Sequence, residues 1–134
     1  MPSSTLILNV DDRQPSLYAR ERYLRAWGYH VENATTGKAA LDLAERIKPN
    51  LIVLDVHLPD IDGIEVCRQI KEDPELRSIP ILIMSATMRG HAANLESIRW
   101  GGADAFLPEP FDPTELQSTV RQLTARTTAP SVPG

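Results

Sequence analysis

Residues 51–55 read Leu-Ile-Val-Leu-Asp, a run of four apolar residues that ends in an aspartate. A short run that is apolar at every position is typical of a strand buried on both faces. Four other short segments are predicted as strands, at residues 5–10, 29–34, 81–84 and 105–107. The chain is therefore predicted to contain five strands.

Helix signals fill the segments between these strands. Pro15 fits the first turn of a helix, which Gly28 can end. Thr36-Gly37 opens a second helix, in which small and apolar residues recur at helical spacing. Further helices are predicted at residues 63–71 and at about residues 91–100.

The start of the last helix has several agreeing signals. Asp112 fits the N-cap, Pro113 fits the first helical position, and Glu115 stands where it completes a capping box. Residues 125–134, Ala-Arg-Thr-Thr-Ala-Pro-Ser-Val-Pro-Gly, are predicted as a disordered tail or the start of a linker. One domain is therefore expected over residues 1–124.

The alternation of strands and helices determines the fold class. Buried strands separated by helices indicate a parallel sheet that is covered on both faces. A length of 134 residues with 42% hydrophobic residues is enough for one domain with one sizeable core. The prediction is a doubly wound α/β domain.

Composition and charge exclude several classes of protein. The net charge of −4 argues against nucleic-acid binding, and Arg20, Arg22 and Arg25 are predicted to lie on a solvated helix face. The single cysteine, Cys67, excludes a disulfide within the chain and is interpreted as a small buried residue. The sequence shows neither a membrane-spanning stretch nor a signal peptide, so we expect a cytoplasmic protein without a membrane partner.

Polar residues follow the predicted strands at the edge where ligands of parallel sheets bind. They are Asp11, Asp12, Asp55, Ser85 and Glu109. Carboxylates that converge repel one another unless a cation or a proton offsets their charge. Oxygen ligands suit Mg²⁺, so a magnesium site is predicted at this edge.

The same residues resemble the receiver domain of response regulators over about residues 4–124. The resemblance rests on Asp11-Asp12, on Asp55 followed by Leu-Pro-Asp-Ile-Asp-Gly at residues 58–63, on Ser85-Ala86, and on residues 102–111. It implies a flavodoxin-like fold with five parallel strands in the order 2-1-3-4-5. It also implies a signalling domain of a two-component phosphorelay, with no enzyme activity beyond self-catalysed phosphorylation and dephosphorylation.

The resemblance assigns a role to each site residue. Asp55 is implied to accept a phosphoryl group from a phosphohistidine. The implied Mg²⁺ ligands are Asp11, Asp12, Asp55 and the backbone carbonyl of His57. The Ser85 hydroxyl is implied to turn toward the phosphoryl oxygen, and Phe106 to change rotamer as Ser85 moves. Phe106 fits a partly buried strand position equally well.

Partners also follow from the resemblance. The phosphoryl donor is expected to be a histidine kinase or a phosphotransfer protein. The predicted helix at about residues 91–100, the fifth strand and the last helix form the surface expected to bind an output partner or a second copy.

Glu109 departs from the receiver pattern, which has a lysine there. Three outcomes are open: Glu109 turns to solvent, joins the metal ligands, or is joined by a neighbouring cation. Arg13 and Arg89 are the candidate cations, although ordinary surface charge is the simpler interpretation of both. The substitution also supports an alternative function, a pseudo-receiver that acts as an interaction module without phosphorylation.

Residues 60–63, Asp-Ile-Asp-Gly, superficially resemble the start of a calcium loop. No glutamate stands where it could close such a loop, and a helix begins too soon after it. A turn is therefore the favoured interpretation.

Overall fold

The computed structural model describes residues 5–85 and 100–128. The strands are β1 Leu6–Val10, β2 His30–Ala34, β3 Leu51–Asp55, β4 Ile81–Ser85 and β5 Ala105–Pro108. The helices are α1 Gln14–Ala26, α2 Gly37–Ile47, α3 Gly63–Glu72 and α4 Pro113–Thr128, with a short 3-10 helix at Trp100–Gly102.

The sheet has five strands in the order β2-β1-β3-β4-β5, and every pair is parallel. This confirms the predicted doubly wound, flavodoxin-like α/β fold. Val10 pairs with Leu54 at the ends of the two central strands. Because the strands are parallel and in register, the residues that follow β1, β3, β4 and β5 meet at one edge.

Helices cover both faces of the sheet, as the apolar strands require. One cluster of buried side chains joins the sheet to α2 and α3 and includes Ile52, Ile83, Val66 and Ile70. A second cluster joins the opposite face to α1 and α4 and includes Val53, Leu24, Leu116 and Val120. Alternate residues of the central strands enter different clusters, which explains why their sequences are apolar throughout.

The predicted helix starts are confirmed by hydrogen bonds. Thr36 is the N-cap of α2, where its hydroxyl accepts a hydrogen bond from the Ala39 backbone N–H at 3.0 Å. Asp112 Oδ1 accepts from the Thr114 N–H at 2.9 Å at the start of α4. Pro15 lies in the first turn of α1. These bonds satisfy N–H groups that have no partner within their helix.

The end of the last helix was predicted too early. Helix α4 continues to Thr128, so residues 125–128 are helical rather than part of a disordered tail. Leu123 and Thr124 are buried near this end of the helix. Residues 129–134, and the predicted helix at 91–100 except for Trp100, lie outside the described residues.

Candidate functional site at the carboxyl edge of the sheet

Three carboxylates meet at the carboxyl edge of the central strands. One oxygen from each of Asp11, Asp12 and Asp55 lies within 4.8 Å of the others. Asp11 and Asp55 are buried, with 0% and 1% of their surface exposed, whereas Asp12 faces solvent. The predicted convergence of these three residues is therefore confirmed.

Asp55 lies in an environment that disfavours its charge. Burial raises the pKa of this carboxyl to about 6, and the neighbouring Asp11 and Glu109 also raise it. The His57 backbone N–H, which donates to Asp55 Oδ2 at 2.9 Å, and the Arg13 guanidinium partly oppose this rise in pKa. An added cation would therefore stabilise the charged form of Asp55.

The segment after Asp55 packs tightly under the site. The Gly63 N–H donates to the Val56 carbonyl at 2.8 Å at the start of α3. A Cβ atom at Gly63 would overlap the Asp55 carbonyl oxygen and lie 2.8 Å from the Val56 Cα. Glycine is therefore required by the close approach of α3 to the end of β3.

The acidic residues of this segment cap helices. Asp60 accepts from the N–H groups of Gly37 and Lys38 at 2.7 and 2.9 Å at the start of α2, and these bonds lower its pKa. Asp62 is the N-cap of α3 and accepts from the Ile64 N–H at 2.8 Å. The geometry supports the turn interpretation and gives both carboxylates a structural role.

Ser85 and Phe106 lie where the sequence predicted them. Ser85 ends β4 and is fully buried, and its backbone carbonyl accepts from the Glu109 N–H at 3.1 Å. Phe106 is partly buried on β5, where it packs against the first core cluster. The rotamer change of Phe106 stays a prediction.

Glu109 turns into the site rather than to solvent. Only 7% of its surface is exposed. Its Oε1 accepts from Arg13 Nη2 at 2.9 Å, and its Oε2 accepts from Arg20 Nη1 at 3.0 Å. Of the three outcomes left open by the sequence, the structure shows a neighbouring cation. Arg89, the other candidate, lies outside the described residues.

The prediction for Arg20 was wrong, because this side chain is fully buried. Arg20 lies on the same face of α1 as Leu17 and Leu24, the other buried residues of that helix. Arg20 stands three residues after Leu17 and four residues before Leu24. This spacing places it on the apolar face of the helix and was visible in the sequence. Arg22 and Arg25 are exposed, as predicted.

The buried Arg20 guanidinium is fully engaged with polar partners. It donates to Asp11 Oδ2 at 3.1 Å, to Glu109 Oε2 at 3.0 Å, to Asn9 Oδ1 at 3.0 Å and to the Val10 carbonyl at 3.0 Å. Asn9, also fully buried, was not singled out from the sequence. These hydrogen bonds satisfy the condition under which a buried charge is tolerated.

Arg13 lies between Glu109 and the acidic cluster. Its Nη2 is 2.9 Å from Glu109 Oε1 and 3.7 Å from Asp55 Oδ1, and its Nε is 3.5 Å from Asp11 Oδ1. About half of the side chain, 47%, is exposed. Burial lowers the pKa of this guanidinium, but the surrounding carboxylates outweigh burial and raise it. Arg13 is therefore more than ordinary surface charge.

The donor set at this edge fits Mg²⁺. Asp11, Asp12 and Asp55 offer carboxylate oxygens close enough to share one ion. Hard oxygen ligands, few in number and with one open to water, are what Mg²⁺ accepts in proteins. The raised pKa of Asp55 adds a second argument, because a cation would offset the burial and the repulsion from Asp11 that raise it.

Cys67 has a structural role. Its side chain is buried in the first core cluster, and its thiol donates to the Gly101 carbonyl at 3.3 Å. Burial raises the pKa of this thiol to about 12, so it stays neutral at physiological pH.

Across the helices of the described residues, none has the length and apolar content needed to cross a membrane.

The family of this fold and site is shown by comparison with known proteins. Residues 7–121 match the response regulator receiver domain family. The chain belongs to that family, which confirms the resemblance seen in its sequence.

Individual relatives agree with this assignment. The chain is 39% identical over 121 residues to the response regulator PleD of Caulobacter vibrioides, covering 90% of this chain but only 26% of PleD. It is 34% identical to the polar-differentiation response regulator DivK of Brucella anthropi, covering 90% of this chain and 95% of DivK.

A solved structure resembles the chain closely. It is the receiver domain of the sensor histidine kinase PA1611 from Pseudomonas aeruginosa PAO1, with a TM-score of 0.83 and 28% identity. The alignment covers 92% of this chain and 99% of that domain. That structure has a magnesium ion coordinated in its active site cleft.

Proposed function

We propose that this chain is the phosphoacceptor domain of a two-component phosphorelay and that Asp55 receives the phosphoryl group from a phosphohistidine. The observation that carries the proposal is the buried Asp55 carboxylate, gathered with Asp11 and Asp12 at the strand edge. The magnesium ion in the related PA1611 receiver domain supports the same use of the site.

The reaction uses Asp55 as the nucleophile. A carboxylate oxygen attacks the phosphorus atom, a P–O bond forms, and the P–N bond of the phosphohistidine breaks. The bonding electron pair stays on the imidazole nitrogen, and the imidazole takes one proton from solvent. Asp11, Asp12 and Asp55, with the His57 backbone carbonyl as the implied fourth ligand, would hold Mg²⁺, which would supply positive charge to the phosphoryl oxygens.

The ionisation of Asp55 fits this role. Its pKa of about 6 leaves the carboxylate predominantly ionised at neutral pH, so it can act as a nucleophile. Burial and the neighbouring Asp11 disfavour the charge of Asp55, so positive charge brought to the site would be bound favourably.

Signal output would pass from the phosphorylated site through Ser85 and Phe106. Ser85 is buried at the end of β4, and Phe106 lies on the neighbouring strand β5. Ser85 pairs with Pro108 of β5, two residues after Phe106, so a movement at Ser85 would reach the β5–α4 side of the domain through β5. That side would bind an output partner or a second copy, and the donor would be a histidine kinase or phosphotransfer protein.

Phosphoramidate is the appropriate test donor, because its P–N bond imitates that of phosphohistidine. The protein is incubated with phosphoramidate, with and without Mg²⁺, and its intact mass is measured beside that of Asp55→Asn. We expect one phosphoryl adduct that requires Mg²⁺ and is missing from Asp55→Asn. An unmodified wild-type chain that still binds its partner would instead support the pseudo-receiver alternative.

A further inference from the structure

We infer that Arg13 is the cation that contacts the phosphoryl group on Asp55, and that Glu109 is the residue that positions it. This inference rests on the proposed phosphoacceptor function of Asp55. It assigns Glu109 the opposite part from the one its charge suggests: it holds a positive charge at the site rather than expelling the phosphoryl group.

Arg13 lies close to one carboxylate oxygen of Asp55. Its Nη2 lies 3.7 Å from Asp55 Oδ1, while Asp55 Oδ2 accepts from the His57 backbone N–H at 2.9 Å. A phosphoryl group on Oδ1 would project its oxygens toward this guanidinium. Arginine has a planar set of donors that suits phosphoryl oxygens.

Glu109 is held between two arginines. Its two oxygens point to different arginines, with Oε1 at 2.9 Å from Arg13 Nη2 and Oε2 at 3.0 Å from Arg20 Nη1. Arg20 is fully buried and also bonds Asp11, Asn9 and the Val10 carbonyl, so its position is fixed. Glu109 thus links an immobile buried cation to a half-exposed one beside Asp55.

The charges of Glu109, Arg13 and Arg20 sum to a net positive charge. Glu109 contributes one negative charge and Arg13 and Arg20 contribute two positive charges, so the group adds a single net positive charge to the site. A single lysine at position 109, in a site without Arg13 and Arg20, would add the same net charge. The three residues therefore preserve the electrostatic balance beside the acidic cluster while moving the accessible positive end to Arg13.

The exposure of Arg13 distinguishes its part from that of Arg20. Arg20 is fully buried, so its guanidinium contacts only protein groups, among them Glu109 and Asp11. Arg13 is 47% exposed and approaches Asp55 with the same nitrogen that holds Glu109. The Arg13 guanidinium can therefore bind an incoming phosphoryl group while Glu109 stays fixed by its ion pair with Arg20.

The test separates Mg²⁺ binding from binding of a phosphoryl mimic. Mg²⁺ is titrated alone, and beryllofluoride is then titrated at saturating Mg²⁺, for the wild type, Arg13→Gln, Arg13→Lys and Glu109→Gln. Arg22→Gln is the matched control, because Arg22 is an exposed arginine of α1. Both dissociation constants are measured by isothermal titration calorimetry.

We expect Arg13→Gln to bind beryllofluoride about tenfold or more weakly, the scale of a lost charge-assisted hydrogen bond. The same variant should bind Mg²⁺ alone more tightly, because a positive charge has left the carboxylates. Opposite changes of these two constants cannot come from a general loss of structure. Arg13→Lys should recover part of the beryllofluoride affinity, and Arg22→Gln should match the wild type.

Glu109→Gln tests the positioning role. The variant keeps the size of the side chain but loses the ion pair with Arg13. Beryllofluoride affinity should fall, although removal of a negative charge alone would raise it. Wild-type affinity for beryllofluoride in Arg13→Gln would overturn the inference and leave the proposed function standing. A wild-type protein that binds Mg²⁺ but neither beryllofluoride nor a phosphoryl group would overturn both.

Discussion

Glu109 Oε2 accepts a hydrogen bond from Arg20 Nη1 at 3.0 Å, and the Arg20 side chain is fully buried. The charge at position 109 is therefore coupled to a cation that cannot reach solvent. Removing one partner of a buried ion pair costs far more than removing a surface pair, since the other charge is left uncompensated. The effect of a substitution at Glu109 is set by this pairing as well as by the site.

Glu109→Lys should destabilise the protein, although the resemblance to receiver domains implies a lysine at this position. The new ammonium would lie beside the buried guanidinium of Arg20, which would also lose one of its two carboxylate partners. We expect the free energy of unfolding to fall by about 3 kcal/mol or more. Urea denaturation measures it, and Arg20→Met in the same chain should recover part of the loss. Wild-type stability of Glu109→Lys would show that the pair is not coupled.

The coupling itself can be measured with a double-mutant cycle. Arg20→Gln, Glu109→Gln and the double variant should give a coupling free energy of about 1 to 3 kcal/mol. The exposed pair Arg46–Asp42 on α2, with 64% and 65% of the side chains accessible, is the control. That pair should give only about 0.3 to 0.5 kcal/mol. Equal coupling in the two pairs would contradict a buried, fixed anchor.

Asp55→Asn should stabilise the domain at neutral pH without Mg²⁺. The folded-state pKa of Asp55 is about 6, above the ordinary 3.8, so the folded state holds its proton to a higher pH than the unfolded chain. The contribution of Asp55 to stability therefore falls as pH rises from about 4 to about 6, and stays low above that. The full cost is about 2 to 3 kcal/mol for a shift of this size.

Thermal unfolding of Asp55→Asn and the wild type over this pH range checks that sign. The difference between the two proteins should be largest at neutral pH and should close toward about pH 4. Mg²⁺ should narrow it at neutral pH, because the ion offsets the charge of Asp55. Asp42→Asn, at an exposed position, is the control and should show little difference at any pH. A destabilised Asp55→Asn at neutral pH would contradict this account.

Gly63→Ala should disturb the site through the backbone of β3. The added methyl group would overlap the Asp55 carbonyl oxygen, so β3 and α3 must move apart. We expect a loss of about 1 to 3 kcal/mol in stability and weaker Mg²⁺ binding. Gly28→Ala is the matched control: Gly28 has a φ of 99° but open space around its Cα. It should lower stability without changing Mg²⁺ affinity, and equal Mg²⁺ affinity in both variants would refute the packing argument.

The sequence predicted the parts of the site that follow from strand ends. Asp11 and Asp55 were placed together because parallel strands present their carboxyl ends at one edge, a rule that needs no side-chain detail. The strand order came from the family resemblance, since alternation alone does not determine it. The capping role of Asp112 followed from local chemistry and was also confirmed.

Arg13 was one of the candidate cations for Glu109, but the sequence did not predict that Arg20 also pairs with it. Arg20 and Glu109 are 89 residues apart, and only the fold brings them together. A charged residue among other charged residues on a helix is usually solvated. The prediction for Arg20 followed this rule, although Leu17 and Leu24 on the same helix face indicate burial. The end of α4 was also missed, because residues 125–128 have a composition typical of a linker but continue a helix that is already nucleated and packed.

The pairing of a phosphoacceptor at Asp55 with an accessible cation at Arg13 is our main proposal. Its most direct test is a time course of intact mass for wild type and Arg13→Gln, incubated with a small phosphodonor at saturating Mg²⁺, with Asp55→Asn as the blank. The account predicts a single phosphoryl adduct on the wild type, about tenfold slower formation in Arg13→Gln, and none in Asp55→Asn. Equal rates in the first two would contradict the role of Arg13, and an unmodified wild-type chain would contradict phosphorylation of Asp55.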